Sequence, residues 1–315
     1  MGMLMRIALV DPSRTTRLIV ARMLEARGHD VLPFADELEA LVQIRTDPGI
    51  DGLITSAELK HISGVELVWE TRLLATCRRP IYVLMMSSQY DQRSLIEALD
   101  SGADDFIGKP PSAEELGARL RAAGRILSMQ RELLRLATTD PLTGLCNHRG
   151  FFEQAGEACA RVVPPNGGLS AIILDIDNFK HINDSYGHES GDEAIRICGR
   201  AARLEQAVTG RLGGDEFALL LEDKTLPQAV EVAEELRLRL AARPFDIGKD
   251  RISLTWSVGV GEGRPGETVD QILARADAAL YEAKLGGRNR VVGAHAGILT
   301  RPAVVANGLA RASAL

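Results

Sequence analysis

The 315-residue chain is 45% hydrophobic and 25% charged, with a formal net charge of −6. That length holds about two domains with cores of their own. The acidic balance disfavours broad electrostatic binding to nucleic acid or anionic membrane.

The opening MGMLMRIALVD carries an apolar run of roughly six residues, too short for a signal-peptide core or a span of about 20. No later stretch is longer, so a cytoplasmic protein with neither membrane nor nucleic-acid partner is expected. Cys77, Cys146, Cys159 and Cys198 form no C-x-x-C pair and no metal-ligand spacing, the pattern of free thiols in a reducing compartment.

Along the first third, short apolar runs recur at Arg6–Val10, Val31–Phe34, Leu53–Thr55, Tyr82–Met86 and Phe106–Ile107. Helical patterns lie between them, such as Arg17–Ala26 closed by Gly28. Five strands alternating with helices predict a doubly wound parallel sheet with its site beyond the carboxyl ends of the strands. VDPSRTTR from Val10, Ser87 after the fourth run, and GADDFIGKP from Gly102 with Lys109 before Pro110 stand at those ends. In order and spacing they resemble the response-regulator receiver family, with a flavodoxin-like fold over residues 1–120.

The departures from that family carry the functional reading. Its alignment puts Ser56 where the phosphorylated aspartate belongs, and Pro12 replaces the second acid of the pair that begins with Asp11. Phosphoryl transfer needs a carboxylate nucleophile and a hard cation held by oxygen ligands. A serine hydroxyl with Asp11 alone supplies neither. Glu58, two residues past the strand end, is expected to have the wrong reach. A receiver without aspartyl phosphorylation is therefore expected, serving dimerisation or binding of a protein partner.

Ser112 to Glu115 has the form of a capping box opening a helix without proline to about Thr138. Leu116, Leu120, Ala123 and Leu127 form one stripe, suited to packing on the sheet. Ala122, Ile126, Met129, Leu133 and Leu136 form another, spaced 4-3-4-3 as in a coiled coil; a simple amphipathic helix also fits. Residues 121–137 are read as a helical connector, and a parallel homodimer would bury its exposed seam.

From residue 138 the motifs change. DPLTGLCNHRGF begins at Asp140, LDIDNFKHINDSYGHESGDEAI at Leu174, RLGGDEFALLL at Arg211, SVGVG at Ser257 and ADAALYEAKLGGRNRVV at Ala276. Ser170–Ile176 reads as an apolar strand ending in Asp175 and Asp177, which as i and i+2 share a face. Two buried like charges are costly unless a cation neutralises them. Val208–Leu212 and Phe217–Leu221 read as a hairpin around Gly213-Gly214, glycines that allow a ligand to approach backbone closely.

Five motifs in this order resemble the GGDEF-domain family over residues 138–293. The resemblance implies an α+β palm-type fold related to nucleotidyl cyclases, a central antiparallel sheet flanked by helices. It implies a diguanylate cyclase that condenses two GTP into cyclic di-GMP and two pyrophosphates, each domain of a dimer holding one substrate. Carried over residue by residue, Asp175, the Ile176 carbonyl and Asp215 would hold Mg²⁺, with Mn²⁺ as an alternative. Glu216 would be general base or orienting group. Asn183 and Asp192 would read guanine. Phe179, Lys180, Lys284 and Arg288 would cradle phosphates, the last two on one helix face, beside Gly213 and Gly214.

The family's product-inhibition motif, Arg-x-x-Asp, is replaced by Leu204-Glu-Gln-Ala207, so resistance to product is expected. Residues 294–315 are read as a disordered tail. Two other functions compete: a catalytically silent GTP-binding scaffold, and a cyclic di-GMP receptor weakened by the missing motif.

Overall fold

The computed structural model describes residues 3–75, 79–89, 92–161, 168–242, 244–247, 250–264 and 266–294. Cys77 and residues 295–315, most of the expected tail, lie outside the described residues. The chain divides into two units, 1–135 and 136–315.

In the first unit the runs are β1 (Arg6–Val10), β2 (Asp30–Phe34), β3 (Gly52–Ser56), β4 (Tyr82–Ser87) and β5 (Asp105–Gly108). They pair in parallel in the order β2-β1-β3-β4-β5. Parallel pairing requires crossovers, supplied by α1 (Arg14–Glu25), α2 (Glu37–Thr46), α3 (Gly64–Leu74) and α4 (Gln92–Asp100). The last helix, α5 (Ala113–Thr138), follows β5. Val20 and Leu24 of α1 and Leu116, Leu120 and Leu127 of α5 pack on one sheet face, with Ile7, Leu9, Ile54 and Leu84. Ala40, Ile44, Leu67, Val68 and Ala98 of the other helices cover the opposite face. Covered on both sides, β3 and β4 are buried throughout, which explains their continuous apolar reading.

Half of the expected capping box forms at α5. Ser112 Oγ accepts from the Glu115 N–H (3.1 Å), while the Glu115 carboxylate pairs with Arg119 at 3.0 Å. The predicted outer stripe is solvent-facing: Ile126, Met129, Leu133 and Leu136 are 43–66% exposed.

The second unit is built on β6 (Leu169–Ile176), β7 (Ala207–Gly213), β8 (Glu216–Glu222), β11 (Trp256–Gly263) and β12 (Val291–Ala294), ordered β12-β11-β6-β8-β7. Its pairings are antiparallel except at the β12 edge. There α10 (Val269–Leu285) crosses over from β11, and β12 lies parallel to it. A ribbon of β9 (Phe245–Ile247) and β10 (Asp250–Ile252) stands apart from this sheet. α7 (Phe179–Tyr186), α8 (His188–Ala202) and α9 (Leu226–Ala241) cover one sheet face around Trp256 and Phe217. α6 (His148–Arg161) and α10 cover the other. α10 comes unusually close: a Cβ on Gly259 would stand 2.0 Å from the Ala276 carbonyl oxygen, and one on Gly261 2.7 Å from the Ala276 nitrogen. Both positions must be glycine for helix backbone to rest on strand backbone.

Candidate active site

The end of β6 meets the β7–β8 turn. Asp175 lies opposite Glu216 in the β6–β8 ladder, and the Ile176 N–H donates to the Asp215 carbonyl at 3.3 Å. One backbone contact thus fixes the height of the turn against the strand end. Gly213 remains in the ladder, paired with Glu216 across a bulge from Arg211. The two-residue turn is therefore Gly214-Asp215, one residue later than the sequence suggested, and Gly214 alone is left-handed (φ 50°). A Cβ at either glycine would meet nothing within 4 Å, so no protein atom demands them. Arg211 clamps the turn by donating to the Gly214 carbonyl (2.7 and 2.9 Å) and pairing with Asp140 at 3.1 Å.

Asp175 is nearly buried, and its Oδ2 lies 2.7 Å from Lys284 Nζ. Burial pushes its carboxyl up; Lys284 opposes this, and the charges of Asp215 and Asp177 add to it. Glu216 keeps exposed surface, yet its carboxyl is also raised, by partial burial and then by the charge of Asp175, with Lys284 opposing and Asp215 and Asp277 adding. Carboxylates that repel one another beside a single lysine make a site that favours further positive charge. Asp177 adds its charge to this cluster but makes its hydrogen bonds elsewhere. Its carboxylate turns towards β11, so the shared strand face expected of i and i+2 ends with the strand at Ile176.

Phe179 and Lys180 open α7, Lys180 exposed and Phe179 half-buried against the core. Asn183 on α7 packs over Gly191 on α8, the residue before Asp192, because residue 191 has no side chain. A Cβ there would stand 1.9 Å from Asn183 Oδ1. Gly191 is thus a candidate for the same site through its contact with Asn183, and no sequence motif beyond its place before Asp192 announces it. Gly191→Ala is expected to leave the fold intact, since the obstructed atom ends a flexible side chain, and to displace Asn183. If Asn183 reads guanine, as the resemblance implies, steady-state kinetics should show the KM for GTP rising about tenfold, one lost pair of amide contacts, with kcat little changed.

Lys284 occupies the last turn of α10, but Arg288 does not share its face. The helix ends at Leu285, and Gly287 (φ 111°), Arg288 (φ 63°) and Asn289 (φ 45°) are left-handed. Two successive glycines stop the helix before the i+4 position is reached. Leu204 packs partly buried against the core and Ala207 begins β7, so neither offers a charged group.

The first unit gathers its own polar pocket at the strand ends. Lys109 Nζ lies 2.7 Å from buried Asp11 Oδ2, an ion pair by distance without hydrogen-bond alignment, and donates to Ser56 Oγ at 2.6 Å. Pro12 follows Asp11, whose Oδ1 accepts the Ser13 N–H (2.8 Å). Glu58 also enters, contrary to the reach expected for it. Its Oε1 accepts from Ser87 Oγ (2.9 Å) and the Ser88 N–H (3.2 Å), and its Oε2 lies 3.5 Å from Lys109 Nζ. The backbone folds back tightly after β3: Ser56 Oγ accepts the Glu58 N–H (3.0 Å). Gly64 passes so near that a Cβ would stand 2.2 Å from the Ser56 carbonyl oxygen.

The response regulator receiver domain matches residues 7–121 and the diguanylate cyclase GGDEF domain residues 137–290. Response regulator PleD of Caulobacter vibrioides is 32% identical over 303 residues, covering 91% of this chain and 65% of PleD. The chain therefore carries a receiver domain followed by a GGDEF domain. A diguanylate cyclase of Vibrio cholerae is 40% identical over 172 residues, 52% of each chain. The coiled coil and GGDEF domain of DgcB from Caulobacter crescentus, solved in complex with c-di-GMP, aligns with a TM-score of 0.50 at 35% identity. It covers 57% of this chain and 99% of that one. The chain thus spans less than two thirds of PleD and about half of the Vibrio protein.

Among the described residues of the GGDEF domain and its receiver, no three His, Cys, Asp or Glu side chains converge into a closed metal cage. No described helix is long and apolar enough to cross a membrane. The donors at the GGDEF turn nevertheless suit a hard cation: they are oxygens, and repulsion already burdens Asp175. Mg²⁺ commonly keeps waters and takes one or two carboxylates plus substrate phosphates. An open carboxylate pair fits that habit better than a cage.

Proposed function

We propose that this protein is a diguanylate cyclase acting as a homodimer in the cytoplasm, where GTP is supplied. The observation that carries the reading is the apposition of Asp175 and Glu216 in one ladder, with Asp215 beside them in the turn and Lys284 2.7 Å from Asp175. Asn183 and Asp192 bind guanine: a carboxylate suits the N1–H and N2–H₂ donors, which adenine lacks. Lys180, Arg288 and the backbone at Phe179 hold the triphosphate, and Lys284 exchanges its carboxylate partner for phosphate oxygens. Asp175, the Ile176 carbonyl and Asp215 would hold Mg²⁺, or Mn²⁺. When bound, that ion neutralises charge on the triphosphate and lowers the barrier to attack.

Each 3′-oxygen attacks the α-phosphorus of the GTP held by the partner, and pyrophosphate leaves; the step occurs twice. Glu216, its carboxyl already raised, orients the 3′-hydroxyl or takes its proton. Incubating the protein with GTP and Mg²⁺ and assaying for cyclic di-GMP tests the reading. GTP binding without product would instead support a silent scaffold.

In this reading the receiver serves dimerisation or a protein partner and does not turn over acyl phosphate. Residue 56 offers a hydroxyl that is already engaged by Lys109, and the Glu58 carboxylate fills the space before Ser87. Acetyl phosphate or beryllofluoride is expected to leave the initial rate of cyclic di-GMP synthesis unchanged. Reproducible activation by either, lost in Ser56→Ala or Asp11→Asn, would overturn this assignment.

A further inference from the structure

We propose that Asp177 is a positioning residue for the triphosphate, acting through the turn that carries Arg288; this rests on the cyclase reading above. Its carboxylate is buried and joins three chain segments. Oδ2 accepts from Thr255 Oγ1 (2.6 Å) and from the Asn289 N–H (3.0 Å), and Oδ1 accepts from Ser257 Oγ (2.6 Å). The Asp177 N–H donates to the Thr255 carbonyl at 3.0 Å. The end of β6, the start of β11 and the turn after α10 therefore meet on one side chain.

The turn needs such an anchor. Arg288 and Asn289 are consecutive L-residues with left-handed φ of 63° and 45°, a conformation that side-chain-bearing residues adopt singly and at a cost. Asn289 is held from both sides. Its N–H reaches Asp177, and its Oδ1 accepts from Arg237 Nη1 of α9 at 2.7 Å. Without the carboxylate, the Asn289 N–H loses its acceptor and the turn is free to leave the left-handed region. Arg288 then moves away from the strand end. Among the described residues, no hydrogen bond joins Asp177 to Asn183 on α7 or to Asp192 on α8.

The role separates phosphate binding from guanine binding. In equilibrium titrations of the full chain, Asp177→Ala is expected to weaken mant-GTP binding about tenfold, as for one charge-assisted contact. Binding of mant-GMP, which lacks the outer phosphates, should change less than about twofold on the same reasoning. Asn289→Gly added to Asp177→Ala should recover most of the loss, because glycine tolerates positive φ without an anchor.

Should Asp177→Ala fail to give a cooperative melt, Asp177→Asn keeps the volume and one acceptor, and it should show the same GTP-selective loss at smaller size. Unchanged GTP affinity, equal losses for GTP and GMP, or no recovery with Asn289→Gly overturns the proposal. Turnover by the wild-type protein is measured alongside. Its absence would count against the cyclase reading, whereas the ratio of GTP to GMP binding judges Asp177.

Discussion

Asp215→Ala is expected to abolish cyclic di-GMP synthesis while leaving the protein folded. The two outcomes separate because Asp215 does two jobs with different atoms. Its carbonyl receives the Ile176 N–H and sets the turn against β6, and alanine keeps that carbonyl. Its carboxylate supplies one of few hard donors beside Asp175, and alanine removes it. Loss of one electrostatic stabiliser of a transition state costs about a hundred- to a thousandfold in kcat, and a metal ligand should stand at the upper end. Rates at saturating GTP and Mg²⁺, with thermal melts of both proteins, provide the check. A variant that keeps most of its activity would remove Asp215 from the metal set.

The second large effect is expected from Ile126→Asp combined with Leu133→Asp. Both side chains are exposed, at 43% and 65%, on a face of α5 roughly 100° around the helix from the buried stripe of Leu116, Leu120 and Leu127. The receiver core therefore does not depend on them. Two carboxylates in a helix seam would oppose pairing by burying unpaired charge. Because the proposed reaction joins two substrates held on separate domains, specific activity at low protein concentration should fall about ten- to a hundredfold, and raising the concentration should restore part of it. Sedimentation of the variant as a monomer should accompany the loss. Full activity from a strict monomer would contradict the two-site reading.

Much of the fold was legible in the sequence because local pattern and burial agree there. The strands of the first unit lie within one or two residues of their apolar runs, and β6 begins one residue earlier than its run. Backbone that leaves a regular element was harder to read. Distance along an extended strand puts Glu58 out of reach, whereas the chain folds back at once after Ser56 and brings the side chain to Ser87 and Lys109. Arg288 was placed by helical arithmetic that holds only while the helix lasts, and Gly286-Gly287 end it. The turn was set one residue early because the bulge after Arg211 keeps Gly213 in the ladder. Gly191 has no periodicity to announce it, and the alternation that puts Asp177 on the face of Asp175 ends with β6. The parts proposed for them rest on contacts across elements: an amide oxygen over a bare Cα, and a hydroxyl from a strand 80 residues away.

Helix α10 resting on Gly259 and Gly261 also has a mechanical meaning. Backbone stacked on backbone leaves no side-chain cushion to deform, so a small tilt of the helix would drive the Ala276 carbonyl into the strand. Lys284 thus rides on a stiff mount, fixed to the same sheet that carries Asp175 and Glu216. In the proposed cyclase, a half-site so mounted would make output depend on how often, and how squarely, two such halves meet.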